Sequence, residues 1–141
     1  MSGRVTVRFA GSEDLTWCSN QDESVDQKIL ERKIPWKELL IAEMAGKRVG
    51  YLRLVYLWSK IPYIGLVKVN QQQRGQGVGQ AMLRFLEPFL RENEFRVLMS
   101  SSQVNEPRAQ EWHRKMGFQE CGIIAGINKG GIGEVFFTKP L

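Results

Sequence analysis

Residues 66–93 constrain the fold more than any other part of the chain. An apolar run, Leu66-Val-Lys-Val-Asn, leads into a turn with glycines at positions 75, 77 and 79. From Val78 onward, apolar residues recur at spacings of three and four. This pattern predicts a β-strand that passes through a glycine-rich turn into an amphipathic helix. Because glycine has no Cβ, the backbone N–H groups of such a turn can approach a ligand closely.

The same turn has the properties of a binding site for phosphate or pyrophosphate. The helix N-terminus supplies unpaired N–H groups and a partial positive charge, and Arg74 adds a full charge. The alternative is a tight strand-to-helix turn that binds nothing. Anions bind readily at helix N-termini, so an arginine beside three glycines favours the ligand-binding interpretation.

Composition narrows the class of protein further. The length of 141 residues and the 43% hydrophobic content fit a single domain over residues 1–141. The net charge of +5 suits an anionic ligand, but the basic residues are scattered, which does not favour nucleic acid. Cys18 and Cys121 lie far apart and are expected to be free thiols. With no apolar run of membrane length and no signal-peptide pattern, we expect a cytoplasmic protein without membrane contacts.

The residues before the turn predict strands and short helices. Val5–Phe9 alternates as a strand does, and residues 12–35 read as one or two short helices, with capping-box spacing at Ser24 and Gln27. Three strands of an antiparallel meander follow, over residues 39–44, 48–58 and 61–69. The second of these is apolar on both faces, which indicates a central strand.

The residues after the turn complete a layered fold. A helix over 77–93, expected to kink or fray at Pro88, is followed by a buried strand over 95–99, parallel to the strand before the turn. Asn105 is positioned to cap the next helix, which has Ala109, Trp112 and Met116 on its inner face and ends at Gly117. Strands over 118–124 and 134–138 close the chain around a glycine-rich loop. The fold class is α/β: a mixed, mostly antiparallel sheet of about seven strands with helices on both faces.

Several common sites do not fit this sequence. The glycine spacing is one residue short of a dinucleotide-binding fingerprint, and a P-loop motif is absent. One histidine and two distant cysteines cannot supply a clustered metal site, so no metal is expected. A hydrolase built on Ser100 to Ser102 and His113 would lack the nucleophile-elbow motif.

Two motifs resemble the GNAT acetyltransferase superfamily. Arg74-x-x-Gly77-x-Gly79 matches its R/Q-x-x-G-x-G/A signature, and the helix that ends in Gly117-Phe118 matches a later helix of the family. The two motifs lie about 40 residues apart in the expected order, and the order of elements is similar along nearly the whole chain. The resemblance implies an acetyl-CoA-dependent transferase.

The resemblance also implies which residues bind acetyl-CoA. The amides of the turn would hold the pyrophosphate, and the strand before it would pair through its backbone with the pantetheine arm, while the helix after Asn105 would flank the cofactor. The implied cofactor-binding residues are Val67, Lys68, Val69, Arg74, Gly75, Gln76, Gly77, Val78, Gly79, Gln80, Asn105 and Arg108.

The catalytic residues follow the family pattern only in part. The family commonly has a tyrosine four residues before the Gly-Phe pair, as the acid that protonates the leaving thiolate, and His113 stands there. Imidazole can perform this task near neutral pH, and the alternative is a hydrogen-bonded histidine without a catalytic role. The strand over 61–69 contains no acidic residue or histidine, so Glu43 and Glu134 are the candidate bases by position. Each can also be a solvated or salt-bridged side chain.

The predicted function is therefore transfer of an acetyl group from acetyl-CoA to a primary amine, by direct attack in a ternary complex. The acceptor would be a small molecule or a peptide, and a homodimer is a further expectation. The alternative is a non-catalytic acyl-CoA-binding or regulatory domain with the same fold, which the missing acid on the fourth strand would explain.

Overall fold

The computed structural model describes residues 3–141 and shows a seven-stranded sheet in the order β1-β2-β3-β4-β5-β7-β6. Short 3-10 turns lie at Ser12–Asp14, Gln71–Gln73 and Lys129–Gly131. The helices and strands are β1 (Val5–Phe9), α1 (Leu15–Gln21), α2 (Gln27–Lys33), β2 (Leu39–Met44), β3 (Lys47–Leu57), β4 (Ile61–Val69), α3 (Val78–Glu92), β5 (Val97–Gln103), α4 (Pro107–Lys115), β6 (Gln119–Ile124) and β7 (Glu134–Pro140).

The strand directions match the predicted class of sheet. β1 with β2, β2 with β3, β5 with β7 and β6 with β7 pair antiparallel, whereas β4 pairs parallel with β5. The parallel pair flanks α3 in the chain, as a strand-helix-strand crossover requires. The prediction of a mixed, mostly antiparallel sheet of about seven strands is confirmed.

The chain forms two compact units. The first unit contains the chain up to Val55 together with Leu66–Phe89, and the second contains Tyr56–Gly65 and Leu90–Leu141. In the first unit, adjacent residues of β3 face opposite sides of the sheet. A Cβ added to Gly50 would lie 2.8 Å from a methyl carbon of Val78 on α3. Tyr51 instead belongs to the buried cluster with residues of α1 and α2, so helices cover both faces of this unit, as predicted.

Two buried carboxylates fasten the α1–α2 region to the strands of the first unit. Asp14 accepts hydrogen bonds from Arg8 at 2.6 and 2.9 Å, and this guanidinium holds the pKa of the Asp14 carboxyl well below its usual range. Asp22 accepts from the Tyr51 hydroxyl at 2.7 Å and from Arg53 Nε at 2.6 Å. Buried carboxylates are tolerated when they are paired and hydrogen-bonded in this way.

In the second unit, β5 separates two faces with different surroundings. Leu98, Ser100 and Ser102 are buried, whereas the alternate residues Met99 and Ser101 are only half-buried. α4 lies on the face that carries Ser100, because a side chain of α4 hydrogen-bonds to this serine. Ser101 therefore points to the face opposite α4.

The helix caps differ from the prediction. Asp26, not Ser24, is the N-cap of α2, and its side chain accepts from the Lys28 N–H at 2.8 Å. Glu106, not Asn105, is the N-cap of α4, where no side chain caps the helix. α3 continues past Pro88 to Glu92.

The position of β5 also differs from the prediction of 95–99. The strand begins at Val97 and continues to Gln103, because β7 pairs with it along that whole length. A run of three serines has no apolar–polar alternation, so periodicity does not extend the strand, whereas pairing with β7 does. On α4 the buried side chain is His113, whereas Trp112, expected in the core, is half-buried.

Cys18 is buried and Cys121 is exposed, and both are free thiols as expected. Within residues 3–141, none of the helices combines the length and the apolar character needed to cross a bilayer.

Candidate functional site

The turn between β4 and α3 depends on two left-handed glycines. Gly75 has φ of 79° and Gly77 has φ of 82°, a conformation that residues with a Cβ rarely adopt. A Cβ added to either glycine would meet no atom within 4 Å, so the constraint is the backbone angle rather than lack of space. The space beside both glycines is open, and a ligand can approach their backbone.

The first N–H groups of α3 directly follow these glycines in the chain. The Ala81 N–H donates to the Gly77 carbonyl oxygen at 2.9 Å, which is the first bond of the helix. The N–H groups of Val78, Gly79 and Gln80 precede it and have no acceptor within the helix. These groups and the helix dipole favour an anion at this position.

Arg74 is exposed and tied to the end of β4. Its Nε donates to the Val69 carbonyl oxygen at 3.3 Å, which uses one of five guanidinium N–H groups. The Asn70 N–H donates to the Val49 carbonyl oxygen at 2.8 Å and anchors the start of the turn on β3. The positive charge of Arg74 is thus held near the glycines.

The remaining predicted cofactor residues lie on β4 and α4. Val67–Val69 form the end of β4 and belong to the first unit. β4 pairs with β5 at Tyr63 and Met99, which both belong to the second unit. Asn105 and Arg108 are exposed in the second unit, in the turn before α4 and in its first turn.

Glu43 belongs to a cluster of charged residues in the first unit. It lies 3.0 Å from Arg8 Nε, and Arg8 also pairs with Asp14. Arg48 contributes a second guanidinium, 2.9 Å from Asp14. These contacts give Glu43 a structural task in the pairing of β1 with β2, which is the alternative that the sequence left open.

His113 is buried in the second unit with both ring nitrogens engaged. It is 3% exposed and stacks on Phe137 with ring centroids 4.6 Å apart. Nδ1 lies 2.7 Å from the Ala109 carbonyl oxygen, which only accepts, so Nδ1 carries the proton. Nε2 therefore accepts from the Ser100 hydroxyl at 2.7 Å. Burial lowers the pKa of His113 below its ordinary value, so the imidazole is neutral at pH 7.

This geometry weighs against two roles for the histidine. A neutral imidazole whose only proton is bonded to a backbone carbonyl has no proton ready for a leaving group. Ser100 is 1% exposed, so a substrate cannot reach its hydroxyl. The Ser100–His113 pair therefore cannot act as a serine nucleophile with a histidine base. The general-acid role of His113 stays a prediction.

Glu134 lies in a hydrogen-bond network that the sequence did not predict. Its two carboxylate oxygens accept from Ser101 Oγ at 2.5 Å and from Asn128 Nδ2 at 2.9 Å. The Tyr63 hydroxyl in turn hydrogen-bonds to Ser101. If β5 had been predicted to include the serines, residue alternation would have put Ser100 and Ser101 on opposite faces of the sheet. The hydrogen bond between Ser101 and Tyr63 could not be predicted in this way, because it depends on the pairing of β4 with β5.

Comparison with known proteins decides the family. The sequence model of the acetyltransferase (GNAT) family matches residues 10–118, which is more than half of the chain. The chain belongs to this family. The predictions of a GNAT family member and of its fold are confirmed, and the family is one of acetyltransferases. The roles of individual residues stay predictions.

Two curated relatives are acetyltransferases with longer chains. A streptothricin acetyltransferase from Streptomyces lavendulae is 30% identical over 91 residues, which cover 63% of this chain and 48% of the relative. An aminoglycoside N(6′)-acetyltransferase type 1 from Stenotrophomonas maltophilia is 33% identical over 73 residues, which cover 52% and 41%. The match thus spans less than half the length of these relatives. The acceptor substrates that their names give are therefore not assigned to this chain.

Solved structures share this fold over most of the chain. Ard1 from Thermoplasma volcanium aligns with a TM-score of 0.84 at 18% identity and covers 97% of both chains. The ribosomal-protein-S18-alanine N-acetyltransferase from Escherichia coli aligns with a TM-score of 0.80 at 15% identity, covering 97% of this chain and 94% of its own. A protein from Bacillus anthracis, solved in complex with acetyl coenzyme A, has a TM-score of 0.68 at 22% identity, covering 73% of this chain and 61% of its own.

The buried neutral histidine makes stability depend on pH. The folded-state pKa of His113 is lowered, so below about pH 6.5 the unfolded chain binds a proton that the folded chain does not. We expect the free energy of unfolding to be constant above that pH and to fall by about 1.4 kcal/mol per pH unit below it, until the folded-state pKa is reached. Urea unfolding between pH 5 and 8 measures this.

His113→Phe is the control for this prediction. Since the protein contains one histidine, the variant should lose the slope between pH 5 and 6.5, whatever its absolute stability. An equal slope in the wild type and in His113→Phe would contradict the prediction, and so would an NMR titration of His113 with a pKa near 6.5.

Proposed function

We propose that this chain is an N-acetyltransferase that moves the acetyl group of acetyl-CoA to a primary amine, which attacks the thioester directly in a ternary complex. The observation that carries this proposal is the turn of a GNAT family member with left-handed Gly75 and Gly77, an exposed Arg74 and the open N-terminus of α3.

The first unit supplies most of the proposed cofactor contacts. The N–H groups of Val78, Gly79 and Gln80 and the Arg74 guanidinium are proposed to hold the pyrophosphate, because charge-assisted hydrogen bonds and the helix dipole act together there. The backbone of Val67–Val69 is proposed to pair with the pantetheine arm as an added strand would. When bound, acetyl-CoA supplies the acetyl group as a reactive thioester.

The family resemblance assigns two further contacts and the acid. Asn105 and Arg108 are proposed to touch the cofactor from the start of α4, where both side chains are exposed. For the acid, the contacts of His113 favour water as the donor of the proton to the leaving thiolate. An unchanged kcat and pH profile in His113→Phe would show that His113 is not the general acid. A loss confined to kcat would support that role.

Between the two candidate bases, the structure favours Glu134. Glu43 is engaged by the Arg8 guanidinium, whereas Glu134 meets two uncharged donors, Ser101 and Asn128. Glu134 is also half-buried rather than enclosed, so proton exchange with solvent is open to it.

The acceptor is proposed to be a primary amine on a small molecule or at a peptide terminus. The names of the relatives suggest a test panel that contains streptothricin, an aminoglycoside and a peptide with N-terminal alanine. Release of the CoA thiol reports turnover with each amine. Tight binding of acetyl-CoA without turnover on a broad panel would instead favour the non-catalytic acyl-CoA-binding domain.

Arg74→Glu tests the assignment of the pyrophosphate site. Replacing the guanidinium by a carboxylate removes a charge-assisted contact and adds repulsion, so the Kd for acetyl-CoA should rise roughly 10–100-fold or more. Isothermal titration calorimetry measures it. Arg84→Glu is the matched control, since it makes the same charge change at an exposed position further along α3.

The two variants separate a local contact from a general charge effect. Arg84→Glu should bind acetyl-CoA within a few-fold of the wild type. If Arg74→Glu binds as tightly as the wild type, or if both variants weaken binding equally, the site assigned to the pyrophosphate is wrong.

A homodimer is also proposed, through the edge strand β6. All six residues of β6 are exposed, and Ile123 and Ile127 are 60% and 59% exposed. An apolar edge strand is a template for pairing with a second copy. Sedimentation equilibrium should show a dimer for the wild type and a monomer for Ile123→Lys, and a monomeric wild type at micromolar concentration would exclude it. A cytoplasmic location stays a prediction.

A further inference from the structure

A continuous chain of hydrogen bonds crosses three strands of the second unit. The Tyr63 hydroxyl on β4 is bonded to Ser101 Oγ on β5. Ser101 Oγ lies 2.5 Å from Glu134 Oε2 at the start of β7. Asn128 Nδ2 holds the other oxygen of Glu134 from the preceding loop, at 2.9 Å.

The chain of bonds has a direction. An ionised carboxylate only accepts, so Ser101 gives its single hydroxyl proton to Glu134. The hydrogen between Tyr63 and Ser101 must then come from the Tyr63 hydroxyl. The Tyr63 hydroxyl thus donates to Ser101, and the Ser101 hydroxyl donates to Glu134. In this order each proton can move along one hydrogen bond toward the carboxylate.

The network lies on an accessible face of the sheet. Tyr63, Ser101 and Glu134 are all half-buried, whereas the neighbours of Ser101 on β5, Ser100 and Ser102, are buried on the α4 side. The ring of Tyr63 stacks on Phe136 with centroids 5.9 Å apart, which fixes the position of the phenol. A network that only filled the core would be enclosed, and this one is not.

The position of Tyr63 along β4 connects the network to the proposed chemistry. Tyr63 is the residue at which β4 pairs with β5, and the same strand continues to Val67–Val69, the segment proposed for the pantetheine arm. A group that takes a proton from the acceptor amine must lie within hydrogen-bond reach of it, directly or through one water. β4 has no acidic side chain of its own, and the network gives it access to one.

We propose that Tyr63, Ser101 and Glu134 form a proton relay that deprotonates the acceptor amine, an inference that rests on the proposed function. The N–H bond of the acceptor ammonium breaks and its proton passes to Tyr63 Oη. The hydroxyl proton of Tyr63 passes to Ser101 Oγ, and that of Ser101 passes to Glu134 Oε2. An ammonium and a carboxylate become a neutral amine and a carboxylic acid, and Glu134 later returns the proton to water.

The roles within the relay differ. Tyr63 is the catalytic residue, because it touches the acceptor. Glu134 is the final proton acceptor, Ser101 joins the two, and Asn128 is a positioning residue that orients the carboxylate. The runner-up base, Glu43, has no part in this path.

The test uses Glu134→Gln, Ser101→Ala and a matched serine control. Glutamine keeps the shape of Glu134 and can still hydrogen-bond to Ser101 and Asn128, but it cannot take the proton. Ser101→Ala breaks the path and leaves the carboxylate in place. Ser102→Ala is the control, since the Ser102 hydroxyl is buried and has no hydrogen-bond partner within residues 3–141. kcat/KM is measured from pH 6 to 10 with the amine of the panel that the wild type acetylates fastest.

The relay predicts a loss that depends on pH. At pH 7, kcat/KM should fall about 100-fold in Glu134→Gln and in Ser101→Ala, the usual range for general acid–base catalysis. The loss should shrink toward pH 10, where a much larger share of an alkyl amine arrives neutral and needs no base. Ser102→Ala should match the wild type at every pH, and calorimetry should give all four proteins the same Kd for acetyl-CoA.

The outcomes separate the relay from the proposed function. Equal losses at every pH in Glu134→Gln and Ser101→Ala would show a structural network and overturn the relay, as would wild-type activity in both variants. Either result leaves the acetyltransferase assignment intact, because the wild type turns over. A wild type that releases no thiol with any amine would overturn the proposed function, and the relay with it.

Discussion

The left-handed backbone at Gly75 and Gly77 is the constraint on which the proposed cofactor site depends. With φ near 80° at both glycines, the chain passes from β4 to α3 through the eight residues 70–77, and the space beside both glycines is open. A side chain at either position would be strained by roughly 1–2 kcal/mol even though it meets no neighbour. The packing of α3 on β3 fixes the other end of the turn. Because Gly50 on β3 has no side chain, the Val78 side chain at the start of α3 can pack against it.

The second unit divides its polar groups between the two faces of β5. On one face, Ser100 and His113 form a buried neutral pair that joins β5 to α4. On the other face, Ser101 joins Tyr63 to a half-buried carboxylate. Adjacent serines therefore have different surroundings: Ser100 is buried with His113, and Ser101 lies in a half-buried network. The contacts of His113 weigh against a general-acid role, and the proposed proton chemistry lies on Glu134.

The sequence predicted the features that follow from local periodicity. Strand alternation, the helical spacing after Val78 and the R-x-x-G-x-G pattern were sufficient for the sheet, for α3 and for the family. The predicted caps were wrong because both helices begin later than those caps require, α2 at Gln27 and α4 at Pro107.

The site residues were harder to predict because they depend on strand pairing. The predicted β5 over 95–99 begins two residues early and ends before the serines, because Ser100 to Ser102 have no apolar alternation and pairing with β7 extends the strand. With that boundary, the serines fell in a loop and neither the His113 pair nor the Ser101 network could be seen. The contact of Tyr63 with Ser101 joins residues 38 positions apart, which no local pattern reports.

The most direct test of the cofactor site is amide hydrogen exchange of residues 74–80, measured with CoA and with pantetheine. CoA carries the pyrophosphate and pantetheine does not. CoA should slow exchange of the Val78, Gly79 and Gln80 amides, and pantetheine at equal occupancy should leave them at the rate of the free protein. If CoA binds without slowing these amides, or if pantetheine slows them equally, the helix N-terminus does not hold the pyrophosphate.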